Sequence, residues 1–246
     1  VPSRDIWQRR LGPLYGGAVA LVHSTPWRWP AEVGDSPRAA GWLVALGAPV
    51  GAAAWCIAVL AHAAGLPTGV AALLGLAALS LGSAALVERG LAERVDHWDG
   101  RSDASSRAPG VAALLVLVFV TLVRAAAIAA LPPERWLAVL IATAVVGRWA
   151  AMFVQALSEP IAPDGAPRSL VVPPAPAWLV AATSLGVAAV AVLALGKAGL
   201  LALALAAIAA FGLGLEAQRH DRRLSAPVVA TVAALGELAV LLTAAV

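Results

Sequence analysis

The sequence predicts an all-α, polytopic membrane helix bundle of about seven transmembrane helices, with its N-terminus in the cytoplasm. Three observations carry that expectation. Of the 246 residues, 61% are hydrophobic and only 13% are charged, whereas a soluble domain carries roughly 25% charged residues. The apolar residues come in runs of about 20, the length that spans a hydrocarbon core of about 30 Å. Lysine and arginine gather in alternate connecting segments. A soluble fold would need a core larger than a chain of this length can enclose.

The spans are expected at Gly41–Ala63, Thr68–Val87, Gly110–Leu131, Trp136–Leu157, Ala177–Gly196, Ala198–Leu215 and Ala226–Val246. Helix is the expected form, because backbone groups in lipid must be satisfied within the segment. A barrel would need alternating strands of about 10 residues, which these continuous runs do not resemble. Gly47, Gly51, Gly75, Gly82, Gly186 and Gly212 are expected at helix contacts, where small residues let backbones approach. Trp42, Trp136 and Trp178 begin spans, as an interfacial aromatic belt would place them. Cys56, the only cysteine, lies inside a span and is expected to be a small buried hydrophobe. Residues 1–40 read as a cytoplasmic tail and 41–246 as a single transmembrane domain. The tail opens with polar Val1–Arg10, and its short apolar stretch, Leu11–Val22, is followed by no small-residue cleavage pattern, so no signal peptide is expected there. A first residue that is Val rather than Met is read as a truncated start or a non-standard start codon.

Orientation follows from the basic residues. Seven spans place the tail and the loops 88–109, 158–176 and 216–225 on one side, with 13 Lys and Arg. The other side receives loops 64–67 and 132–135, Lys197 and the C-terminus, with two. That bias puts the long loops in the cytoplasm. It also accounts for the net charge of +3 without nucleic acid as a partner. The turn at Lys197 is very tight. Pro160–Pro176, rich in proline, reads as an ordered or extended loop.

The densest polar stretch is Glu88–Asp103. Glu93 and Asp96 are three apart, and Asp99 and Asp103 four apart, spacings that share a face on a helix. Carboxylates so grouped can hold magnesium, which needs only one or two of them and takes its other ligands from water and substrate phosphates. They can equally be a solvated segment whose acids and arginines pair with one another. Arg124, Arg148 and Glu237 lie inside spans, where a charge is costly and points to function. Arg148 either faces a water-filled cavity and binds phosphate or forms a buried pair with Glu237. Arg124, nearer the far side, is expected to snorkel. Arg219, His220, Asp221, Arg222 and Arg223 are expected to set topology, with anionic substrate or lipid as the sharper reading. No phosphate-binding glycine loop, CxxC or nucleophile elbow is present.

Six segments, taken in order, resemble the cobalamin synthase family (adenosylcobinamide-GDP ribazoletransferase). AVALVHSTPWRWP in the tail is similar to that family's Phe-Leu-Thr-Arg-Leu-Pro segment, and GWLVALGAPVGAAA to its glycine-rich first span. VERGLAERVDH stands where the family has His-x-Asp-Gly-Leu-Ala-Asp-Thr-x-Asp-Gly, and DASSRAPGVAAL follows it. GRWAAMFVQALSEPIAPDG resembles the family's Arg-Trp-Ala-Met segment and the loop after it. RLSAPVVATVAALGEL has the spacing of its last motif. The chain departs from the pattern at several places. Val87 replaces the histidine, Arg89 the first aspartate and Glu93 the second, while Asp96 keeps the third. Ala230 stands at an aspartate position, Ser225 and Ala226 replace glycines, and Glu237 is retained.

The resemblance implies a transferase of the bacterial inner membrane that joins α-ribazole, or its phosphate, to adenosylcobinamide-GDP and releases GMP in cobalamin biosynthesis. It implies magnesium held by Glu93 and Asp96, with Asp103 assisting. It also implies phosphate contacts from Arg148, with Arg89 either repelling the metal or itself neutralising phosphate. The implied partners are the corrinoid nucleotide and α-ribazole, the lipid bilayer, and a second copy or other cobalamin-pathway proteins. Two other readings stay open. One is a non-catalytic homologue that binds or assembles, favoured by the lost acids. The other is a small transporter, motivated by the intramembrane charges.

Overall fold

The computed structural model describes residues 4–27, 36–100, 108–158, 169–220 and 224–246, which are mostly helical with no strand among them. Two short helices, α1 (Arg4–Leu11) and α2 (Tyr15–Ser24), lead in. The first span is α3 (Ala39–Ala45) followed by α4 (Gly47–Ala63), with a break at Leu46. It is followed by α5 (Thr68–Gly82), α6 (Leu86–Trp98), α7 (Val111–Ala129) and α8 (Trp136–Leu157). The chain ends with α9 (Ala177–Leu195), α10 (Lys197–His220) and α11 (Ala226–Ala245). Six segments are long and apolar enough to cross a bilayer, and the number is seven where the bent pair α5–α6 is counted as one broken span. The chain is an all-α, multi-pass membrane bundle.

The second span differs from the sequence expectation. Thr68–Val87 is not one helix: α5 stops at Gly82, and α6 leaves it at 85°. At 15 residues, α5 is about 22 Å long, short of a full crossing. The apolar composition runs on through Leu86 and Val87, so hydropathy does not register the elbow. Its backbone does. Ala84 and Ala85 both sit at φ 53°, the left-handed region, which costs an L-residue about 1–2 kcal/mol.

The helix α6 turns Val87, Leu91, Ala92 and Val95 inward against α11 and α7. Its helical period then leaves Arg89 and Glu93 outward. The long helices α8 and α11 form the centre, packed on one another and each largely buried. The lead-in is not detached from them: Tyr15, Val19 and Ala20 of α2 are buried, and α2 lies along α3. From the proline-rich segment, 169–176 lies extended on α8. Gln155 donates to the Leu170 carbonyl at 3.1 Å and accepts from Val172 N at 2.9 Å, which satisfies the buried backbone there. The tight turn between α9 and α10 is made by Gly196, at φ 63° and ψ −137°, a conformation that essentially only glycine adopts.

Several small-residue and aromatic expectations need correction. Gly186 and Gly212 face open space, so they are not helix contacts. Gly51 is one: a Cβ there would lie 2.5 Å from the Leu140 carbonyl oxygen of α8. Gly51→Ala is therefore expected to push α4 off α8 at a cost of about 1–3 kcal/mol, read as a lower thermal midpoint in detergent. Gly212→Ala, the matched control, is expected to be silent. Trp136 is fully buried, not interfacial, because its Nε1 donates to the Ile128 and Leu131 carbonyls that end α7. Cys56 is exposed on the outer face of α4.

Candidate functional site

The segments that carry polar chemistry meet at one end of the bundle. Gln218, at the end of α10, donates to Ser158 Oγ, just past α8, at 2.9 Å. The Gly110 N–H, at the head of α7, donates to both Asp96 carboxylate oxygens at 2.9 and 3.2 Å. Arg94 of α6 pairs with Glu216 of α10, and its guanidinium lies 5.2 Å from the Trp98 ring centroid. Trp98 Nε1 donates to Glu216 at 3.2 Å. These contacts tie the C-terminal half of α6 to α7 and α10. Its first half lies on α11, where Gly90 meets Ala230 and Pro227 so closely that a Cβ would collide. The two motifs at 87–97 and 225–237, far apart in sequence, therefore pack directly on one another.

Below that surface lies a polar layer. Glu88 accepts from Ser80 Oγ at 2.5 Å and from Arg124 Nη1 at 3.5 Å. Arg124 also pairs with Glu237 of α11. Arg124 is 4% exposed, so it does not snorkel; two carboxylates hold it inside. The buried pair of Arg148 with Glu237, one of the two readings of that arginine, is not formed, because Glu237 is taken by Arg124. Arg148, 2% exposed, donates to Ser83 Oγ at 2.9 Å and to the Ala144 carbonyl at 3.3 Å. Among the described residues no carboxylate lies within ion-pair distance of it, and its Nε has no partner. It sits nine residues from the end of α8, about 13 Å along the axis. Two acids and two arginines make the layer neutral in sum, yet only one arginine is paired.

The expected metal ligands and phosphate contacts fall as follows. Glu93 is partly exposed and pairs with Arg89 at 2.7 Å; Arg89 itself is 76% exposed. Asp96 lies one turn on and is half-buried. Asp103 lies outside the described residues. Arg89 thus sits on the face of α6 that carries Glu93, while Arg148 lies deeper, behind the elbow. No group of three His, Cys, Asp or Glu that could hold a metal is found among the described residues. The donor set still fits magnesium, since Glu93 and Asp96 offer hard oxygens one turn apart and that ion needs only one or two.

Sequence reasoning missed Glu88 and Ser83 as members of the layer. Glu88 was visible as the first acid of the polar stretch. Ser83 gave no signal, because its role depends on the elbow. Among the histidines, His62 meets the Trp136 ring edge-on at 5.7 Å, a packing contact.

No curated protein and no solved structure matches the chain. A family model for cobalamin-5-phosphate synthase matches residues 17–245, from α2 to the last residue of α11. That match takes in the elbow, all of α6 and the polar layer, and the chain belongs to the cobalamin-5-phosphate synthase family.

Proposed function

We propose that the protein is a ribazoletransferase: it joins α-ribazole phosphate to adenosylcobinamide-GDP and releases GMP. Family membership puts the chain among the enzymes of cobalamin biosynthesis, and the match over residues 17–245 is the observation that carries the reading. The family's printed name includes a phosphorylated product, which favours α-ribazole phosphate over α-ribazole as acceptor. In the reaction a ribose hydroxyl oxygen forms a bond to the cobinamide-side phosphorus. The bond from that phosphorus to the bridging oxygen breaks, GMP leaves with that oxygen, and the hydroxyl proton is lost to solvent.

Such a transfer requires positioning and charge neutralisation more than covalent help. Magnesium, when bound, supplies positive charge to the diphosphate. Glu93 and Asp96 would hold it, with Asp103 as a third donor. Asp96 also fixes the head of α7 through Gly110. An exposed i, i+4 ion pair is worth only about 0.3–0.5 kcal/mol, so Arg89 can leave Glu93 and turn to phosphate. Arg148 supplies the deeper guanidinium. The active face is the end with the long basic loops, which in a bacterial inner membrane is the cytoplasmic side.

Turnover tests the reading. Protein in lipid, given both substrates and magnesium, is expected to release GMP, and Asp96→Asn is expected to slow this about 100-fold or more. Equal rates for the variant would remove Asp96 from the site. A second reading, a binding or assembly homologue, is favoured by two local facts: Arg89 neutralises Glu93, and Ala230 packs apolar against Gly90 where the family pattern has an acid. It predicts a chain that binds the corrinoid and releases no GMP.

A further inference from the structure

The guanidinium of Arg148 has an incomplete set of partners. Its Nη2 donates to Ser83 Oγ at 2.9 Å and its Nη1 to the Ala144 carbonyl at 3.3 Å, which leaves Nε buried with no acceptor. Nε and Nη2 form one edge of the guanidinium, two parallel donors matched to two oxygens of one oxyanion. The Ser83 hydroxyl presents one oxygen to Nη2, and nothing among the described residues accepts from Nε. No carboxylate lies within ion-pair distance of this guanidinium among the described residues, and Nε stays without an acceptor. The edge has the form of an oxyanion site in which Ser83 stands in for one ligand oxygen.

What covers this edge is the elbow itself. Ser83 is its first residue and is buried. Ala84 and Ala85, the next two, hold left-handed backbone angles that alanine disfavours. The closed elbow is therefore kept in place by side-chain anchors against its own backbone. On one side the anchor is Ser83 on Arg148. On the other, Glu88 is held by Ser80 and Arg124.

We propose that Arg148 is a phosphate-oxyanion site closed by Ser83, and that a substrate phosphate replaces Ser83 on the Nε–Nη2 edge as the α5–α6 elbow moves. The inference rests on the ribazoletransferase reading and adds how its buried arginine becomes available. Ser83 is a positioning residue in this scheme. It holds the fork of Arg148 aligned until an anion takes its place, and no covalent step involves it.

Cys56 is the only native thiol, so Ser83→Cys in a Cys56→Ala background reports on the elbow by its rate of reaction with a small charged thiol reagent. Without ligand the introduced thiol is expected to react slowly. Saturating adenosylcobinamide-GDP with magnesium is expected to raise the rate about tenfold, with binding followed in the same sample by the corrinoid's visible absorbance. Corrinoid bound with an unchanged labelling rate would overturn the elbow proposal and leave the substrate reading standing. Failure to bind the corrinoid would overturn both. Fast labelling without ligand would show that Ser83 does not close the site. Should the cysteine variant fail to fold, hydrogen exchange in the wild-type protein decides: amides of Ser80–Gly90 exchange faster with the corrinoid bound, and unchanged exchange overturns the proposal.

Discussion

Arg124→Met is expected to cost about 3–5 kcal/mol and leave little folded protein. It removes the positive partner of Glu237 and of Glu88 in the bundle interior, and a buried charge stripped of its partner is strongly destabilising. A loss of that size is a large part of the total stability of an ordinary domain. The test is the thermal midpoint in detergent, taken as a double-mutant cycle with Glu237→Met. The double variant is expected to recover more than half of the loss, because the fully buried pair is then removed as a unit and the carboxylate left without its arginine, Glu88, is partly exposed and keeps its hydrogen bond from Ser80. A fall of less than about 1 kcal/mol in the single variant would mean that the pair does not support the fold.

Arg148→Met is expected to behave in the opposite way. No carboxylate among the described residues lies within ion-pair distance of this guanidinium, so replacing it with an apolar side chain of similar length removes a buried charge without breaking an ion pair. The thermal midpoint is expected to hold or to rise. Turnover is expected to fall by about 100- to 1,000-fold, the effect of deleting one preorganised donor to a charged transition state. Ser83 loses a partner in this variant, but a hydroxyl bonded to nothing costs less than a guanidinium does. A variant more stable and less active marks a residue kept for function. A variant less stable and equally active would assign Arg148 to the fold and remove it from the site.

The contrast between the two arginines was not legible in the sequence, although both were visible as charges inside apolar runs. Which one meets Glu237 depends on how α7, α8 and α11 are rotated about their axes, and small alanine-rich helices leave that rotation weakly marked. The membrane runs themselves were legible because length and hydropathy are sums over about 20 residues. Trp136–Leu157 matches α8 at both ends, and Ala177–Gly196 ends one residue beyond α9. The tight turn at Lys197 was also legible, and Gly196 explains how it is made.

The elbow was hidden for the reverse reason. Ser83–Leu86 is as apolar as the helix before it, and two left-handed alanines leave no trace in composition. The face of α6 was half legible. The spacing of Glu93 and Asp96 places both on the accessible side, but the same spacing could not reveal that Glu88, five residues earlier, turns inward to Arg124. Trp136 shows the limit of the aromatic-belt rule, since a tryptophan at a span start can equally cap the preceding helix end with its indole N–H.

The most direct measurement is the stoichiometry of the wild-type protein in lipid, supplied with adenosylcobinamide-GDP, α-ribazole phosphate and magnesium. One GMP released for each corrinoid that gains the ribazole phosphate is the predicted result. Folded protein that binds the corrinoid and releases no GMP would contradict the account and leave the chain as a binding member of its family.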